Sequence, residues 1–189
     1  MSTHKSSKKV KIIEAALKVV AHEGLHKLTY DYLVKVTGVS KGGILYHFPS
    51  REALLAELIR HSQHTYLELY RANIKDQAPR PGRTILACLR ATMADPTVQD
   101  AKAYGALSAI IAEYPQLVSA YSEGYKLLYE HLTEDGGNLG RQWAILAAMD
   151  GLWLEDTHKL YGLKPRDHKA IYAHLLHEAE QIYEDAMAA

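Results

Sequence analysis

Three groups of residues in this sequence have types and spacings that carry chemistry in other settings. Gly38-Val39-Ser40-Lys41-Gly42 satisfies G-x-S-x-G, the turn that exposes a nucleophilic serine between a strand and a helix. His174 and His177 stand at i and i+3 with Glu178 adjacent, and His61 and His64 repeat the spacing. Such a pair presents two nitrogens to a transition metal from one helix face. The third group is aromatic: Tyr66, Tyr70, Tyr104, Tyr114, Tyr121, Tyr125, Tyr129, Tyr161, Tyr172 and Tyr183 follow residue 60 with Trp143 and Trp153, and no Phe joins them. Rings with polar tips suit ligand cavities and core edges alike.

The flanking elements decide among these. A nucleophile elbow needs a strand feeding the serine, but Ile13, Ala16, Leu17, Val20 and Ala21 form a helical stripe that Gly24 closes. No window alternates with period two for more than a few residues, so the hydrolase reading falls and no enzyme is expected. The stretch His174-Leu175-Leu176-His177-Glu178 is not the metalloprotease order H-E-x-x-H, and a metal sensor requires further ligands from another helix. No metal and no other cofactor is expected; a metal-responsive protein stands as an alternative.

The composition fits an ordinary globular chain: 189 residues, 48% hydrophobic and 23% charged, with 22 basic and 22 acidic groups. One cysteine, Cys88, forms neither an internal disulfide nor a Cys-based zinc site, which points to a reducing compartment. The basic, polar start lacks the apolar stretch of a secretory signal, and Ala101 to Ala112 is too short to span a bilayer. A cytoplasmic protein without a membrane partner is expected. The neutral total hides an asymmetry, because residues 1–60 hold ten basic groups against five acidic ones. A basic head on an acidic body suits a polyanionic partner.

Stop signals and caps delimit the elements. Thr29 caps a short helix, Tyr30 to Thr37, that ends at Gly38, and Ser40 caps a second running to Phe48. Ser50 caps a long helix to about Asn73, and a linker with Pro79 and Pro81 follows, Lys75 to Gly82. Further helices are predicted over Arg83–Ala94, Asp100–Glu113, Pro115–Glu134, Gly140–Tyr161 and Arg166–Ala186, with breaks that include Asp95-Pro96.

Two short helices around a glycine turn in a basic head form the pattern of a helix-turn-helix. The second helix must offer a small, polar or cationic face to a major groove, and Ser40, Lys41, Gly42, Gly43 and His47 do so. Two glycines cost that helix about 1 kcal/mol each relative to alanine, which stability alone does not explain.

The stretch from Gly38 through Tyr46-His47-Phe48-Pro49-Ser50-Arg51-Glu52 to Leu55 closely resembles the DNA-binding signature of the TetR family of bacterial transcriptional repressors. The resemblance is strong over residues 8–60. Beyond it, length, helix count and the phrase Asp150-Gly151-Leu152-Trp153-Leu154 fit. Val34 and Thr37 depart from the small alanines usual in the motif's first helix. The resemblance implies an all-α fold of about nine helices, a helix-turn-helix DNA-binding domain over 1–50 and a helical effector-binding and dimerisation domain over 51–189. It implies Thr29 and Tyr30 beside the phosphate backbone, and Ser40, Lys41, Gly42 and Gly43 in the major groove. Tyr46 and His47 would meet phosphate or sugar, Leu45 a base methyl, and Arg51 a further phosphate.

A small-molecule effector, of unknown identity, is the control input the family implies. We place it near Tyr66, Tyr70, Cys88, Tyr104, Ile111, Tyr125 and Trp153, because the long helix through Tyr66 and Tyr70 begins at Arg51. One arrangement is an aromatic cage for a quaternary ammonium group, with Asp150 beside Trp153. The same DNA-binding role without a small-molecule inducer is an alternative. The homodimer is expected on the last two helices, through Ala144, Ala147, Ala148, Gly151, Leu152 and Glu155 on one and Ile171, Leu175, Ala179 and Ile182 on the other. The bound DNA would be a double-stranded, near-palindromic operator.

Overall fold

Capping chemistry sets the early helix boundaries. Thr29 Oγ1 accepts the Tyr32 N–H at 3.1 Å, and Ser40 Oγ accepts the Gly43 N–H at 3.2 Å. Gly38 ends the first of these helices in the left-handed region, at φ 69°, where a side chain would strain the backbone. The computed structural model describes residues 8–75, 78–94 and 101–188, and the side chains of residues 69, 94, 101–105, 157, 187 and 188 fall outside the description. Among the described residues there are nine α-helices and no strand. They are α1 (Lys8–Glu23), α2 (Tyr30–Thr37), α3 (Lys41–His47), α4 (Arg51–Ile74), α5 (Arg83–Ala94), α6 (Ala101–Glu113), α7 (Val118–Asp135), α8 (Leu139–His158) and α9 (Pro165–Ala188). The expected break at Asp95-Pro96 lies outside the described residues. None of the helices is long and apolar enough to cross a membrane.

The chain divides into two compact units, one of residues 1–63 with 102–121 and one of 64–101 with 122–189. In the first, α1 lies against α2 and α3, and its stripe of Ile12, Ile13, Ala16, Val19 and Val20 meets Leu33, Ile44, Phe48, Leu55 and Ile59. In the second, α5 is the central element, buried from Arg83 to Leu89 and covered by α8 and α9. Leu132, Leu146, Met149, Leu175, Ala179 and Ile182 close this core.

A buried ion pair fixes the start of α5. Arg83 Nη2 lies 2.6 Å from Asp135 Oδ1, and Asp135 Oδ2 accepts the Thr84 N–H at 2.7 Å. The carboxylate at the end of α7 thus serves a free donor in the first turn of α5 and favours its positive end.

Two expectations for the helices are corrected. The segment from Pro115 begins as a 3-10 turn, Pro115–Leu117, before α7. The helix from Gly140 stops at His158 rather than Tyr161, because Lys159 turns left-handed and Glu155 takes over the backbone donors beyond it. Glu155 is fully buried and accepts the N–H groups of Tyr161 at 2.7 Å and Leu163 at 2.9 Å, which hold its carboxyl below the usual range. Asp135→Ala strands Arg83 in the core and should lower unfolding free energy by about 3–5 kcal/mol, measured by urea denaturation.

Candidate nucleic-acid interface and effector region

The face of α3 is built by what lies beneath it. Ile44 and Phe48 are both fully buried against α1 and α4 residues, which rotates Ser40, Lys41, Gly42, Leu45 and Tyr46 outward. Tyr46 is 84% exposed, so its ring takes no part in the core. His47 is half-buried, its ring edge-on to Tyr46 at 5.1 Å and tilted to Phe48 at 6.2 Å.

The two glycines have different reasons. A Cβ at Gly43 would stand 3.0 Å from Val39 Cγ1 and 3.2 Å from the capping Ser40 Oγ, so the turn itself resists a side chain. A Cβ at Gly42 would meet nothing within 4 Å. The fold therefore leaves Gly42 bare on an exposed face, where backbone can approach a partner closely.

Two residues expected at DNA turn inward. The guanidinium of Arg51 donates Nη1 to Leu28 O, Nη2 to Leu25 O at 3.0 Å and Nε to Tyr114 Oη at 2.9 Å. Its donors are engaged within the protein, so it joins the loop before α2 to the end of α6 instead of standing free for a phosphate. Tyr30 is half-buried, and its hydroxyl donates to Phe48 O at 3.0 Å, tying α2 to the end of α3. Thr29 remains exposed while capping α2. Lys41 Nζ is 2.9 Å from Asp31 Oδ1, with both side chains largely in solvent, an ion pair worth little. Tyr114 carried no signal of this contact in the sequence, since it stands 63 residues from Arg51.

Among the expected effector residues, Tyr66, Tyr70, Cys88, Tyr125 and Trp153 belong to the second unit. Ile111 packs on the core of the first, and the side chain of Tyr104 lies outside the described residues. The Tyr66 ring stands 5.8 Å from Trp153 at 79° and 6.4 Å from Tyr70. The Tyr70 hydroxyl is hydrogen-bonded to His131 Nδ1, a residue the sequence did not single out. Burial pushes the Cys88 thiol up to about 12, beside the Tyr66 hydroxyl, so it is an inert core group. Tyr125 Oη donates to Asp150, 2.8 Å from each carboxylate oxygen.

The expected dimer residues separate into two sets. Ala144 and Ala147 are exposed, with Ala148, Gly151 and Ile171 half-buried; a Cβ at Gly151 would meet nothing within 4 Å. Leu152, Leu175, Ala179 and Ile182 are buried in their own subunit's core and Glu155 caps the turn after α8, which corrects their assignment to an interface. The apolar stripe of α9 covers α5, and that is why it is wide. His174 and His177 are exposed, and among the described residues no three His, Cys, Asp or Glu side chains come together as a metal site.

Comparison with known proteins agrees with this architecture. The family described as "Bacterial regulatory proteins, tetR family" matches residues 12–58, and "Tetracyclin repressor-like, C-terminal domain" matches residues 82–180. The HTH-type transcriptional regulator RutR of Escherichia coli (strain K12) is 29% identical over 139 residues, covering 65% of this chain and 65% of that protein. The chain thus spans just under two thirds of the length of this curated relative. A transcriptional regulator from Rhodococcus sp. Rha1 superposes with a TM-score of 0.67 at 19% identity, over 95% of this chain and 97% of that one. The multidrug binding protein EbrR, solved with imidazole, gives a TM-score of 0.64 at 18% identity, over 91% and 94% of the two chains.

The inward path of Arg51 and the outward path of α3 predict opposite mutational costs. Arg51→Ala should lose about 2–4 kcal/mol of stability, because it leaves two backbone carbonyls without their charged donor. Lys41→Ala and Tyr46→Phe should stay within about 0.5 kcal/mol of the parent in the same urea denaturation.

Proposed function

The chain belongs to the TetR family of bacterial transcriptional regulators, and from that premise we propose a repressor that binds a near-palindromic operator as a homodimer and is released by a small-molecule effector. Residues 1–50 would read DNA, and residues 51–189 would bind effector and dimerise. The observation that carries the proposal is the division within α3, with Ile44 and Phe48 buried and Ser40, Lys41, Gly42, Leu45 and Tyr46 facing out.

In this reading Lys41 leaves Asp31 for a phosphate, and Gly42 lets the α3 backbone approach base edges or phosphate. Thr29, Gly43, Tyr46 and His47 line the same contact. Arg51 and Tyr30 position it from within rather than touching DNA.

The effector region is the aromatic group of Tyr66, Tyr70, Tyr125 and Trp153, and EbrR, solved with imidazole, gives a small-molecule precedent on the same fold. α4 contributes to both compact units, so Arg51 shares a helix with Tyr66 and Tyr70. Effector binding would favour a spacing of the two recognition helices that no longer matches successive major grooves.

For the dimer, the outward stripe of α8 supports a helix-on-helix contact, with Ala144, Ala147, Ala148 and Gly151 small enough for close approach and Leu154 39% exposed at its end.

Genomic fragments retained by the protein should share a near-palindrome, mapped by footprinting. Lys41→Ala should flatten the salt dependence of binding by about one counterion for each half-site. No retained sequence, or an unchanged salt slope, removes the DNA-reading assignment. Gly151→Arg, at a position where an added Cβ meets nothing within 4 Å, should keep its helical circular dichroism and shift the protein toward monomer in sedimentation equilibrium. Dimers of unaltered strength would remove the α8 contact.

A further inference from the structure

Among the described residues of the second unit, Asp135 and Glu155 are buried carboxylates that its own fold accounts for. Asp135 faces Arg83 and the start of α5, and Glu155 gathers two backbone N–H groups. Asp150 is different. Among the described residues its hydrogen bonds come from Tyr125 Oη alone and no lysine, arginine or histidine pairs with it. A tyrosine hydroxyl shared between two carboxylate oxygens brings one proton and no positive charge.

The surroundings of this carboxylate are aromatic. Trp153 lies one turn further along α8, at i+3, and so shares its helix face. The Tyr66 ring meets Trp153 at 5.8 Å and 79°, forming a corner of two nearly perpendicular rings, and Tyr70 continues that wall at 6.4 Å. Tyr66 is close enough to Asp150 for the carboxylate to raise its hydroxyl, a lesser effect beside burial. Asp150, Tyr66, Tyr125 and Trp153 are each half-buried, with the Tyr66 hydroxyl and the Trp153 indole N–H turned fully away from solvent.

We propose that Asp150, with the rings of Tyr66, Tyr125 and Trp153, forms the binding site for an organic cation, and that this cation is the effector of the regulator. The inference deepens the function proposed above and rests on it for the effector role. A π face attracts positive charge, tryptophan most strongly, and gains most from a weakly hydrated cation such as a quaternary ammonium group. A metal ion fits poorly, since a single carboxylate among rings supplies too few ligands. Tyr125 holds the carboxylate in position when no cation is bound. Burial raises the Asp150 carboxyl above its ordinary value, which marks a site where negative charge lacks compensation and a cationic ligand would supply it.

Calorimetric titration of the full-length protein tests this with choline and benzyltrimethylammonium against 3,3-dimethylbutan-1-ol, the uncharged carbon analogue of choline. At least one cation should bind, and the neutral analogue should bind at least about tenfold more weakly than choline or not at all. Asp150→Asn keeps the side-chain shape and removes the charge; it should weaken cation binding at least about tenfold. Neither cation binding, equal binding of the neutral analogue, or unchanged affinity in Asp150→Asn overturns the proposal. Should Asp150→Asn fail to fold by circular dichroism, the comparison of charged and neutral ligands on the unaltered protein decides. Operator retention, read separately, distinguishes the two inferences. Retention without cation binding defeats the cation site alone, and cation binding that never alters retention leaves a site but defeats its role as effector site.

Discussion

A helix of seven residues, two of them glycine, has no independent stability in water, so α3 exists only where its inner face is pinned. Ile44 and Phe48 supply the apolar anchor, and the Ser40 hydroxyl closes the first turn. The two ends are then tied by polar contacts that cross the head. Tyr30 donates to the carbonyl of Phe48, and Arg51, two residues beyond Pro49, reaches back to the carbonyls of Leu25 and Leu28. Arg51 also meets Tyr114 at the end of α6, so one guanidinium joins three segments distant in sequence. A charged group half-buried among backbone acceptors costs more to remove than any exposed contact it might have made.

That internal anchoring leaves the outer face free of structural duties. Tyr46, Leu45 and Gly42 contribute nothing to the core, and Lys41 has only a solvated partner in Asp31. An exposed tyrosine beside a bare glycine on one short helix leaves side chain and backbone both open to a second surface. The basic excess of residues 1–60 gives that surface its sign: a polyanion.

Local signals made the head legible in the sequence. Gly38 as the end of α2 and Thr29 and Ser40 as caps are each a matter of a few neighbouring residues, and the structure places them so, with Gly38 left-handed. Arg51 was not legible. Its charge and its position in a first turn fit a phosphate contact equally well, and only the fold brings the carbonyls of Leu25 and Leu28 and the hydroxyl of Tyr114 within its reach. The same holds for α9, where Leu175, Ala179 and Ile182 form a stripe whose period is identical whether it meets a partner subunit or α5. Periodicity reports that a face is buried and is silent about what buries it. Contacts such as Arg83 with Asp135 join α5 to the end of α7 and leave no pattern in either segment.

Asp135, Glu155 and Asp150 show how a carboxylate acquires different work from its donors. Asp135 has a guanidinium and a backbone N–H, and Glu155 has two backbone N–H groups, so each ionised carboxylate is compensated by groups that fold with it. Such groups shape helix ends, and their removal is felt as instability. Asp150 has a neutral hydroxyl and a wall of rings. Burial raises its carboxyl above the ordinary value and the Tyr125 hydroxyl works in the opposite direction, with no positive group of the described chain beside it. On a helix that also carries Arg141, Gln142 and Glu155, Asp150 is the carboxylate that the described chain meets with a hydroxyl and rings instead of a charge, and that contrast is what the proposed cation site rests on.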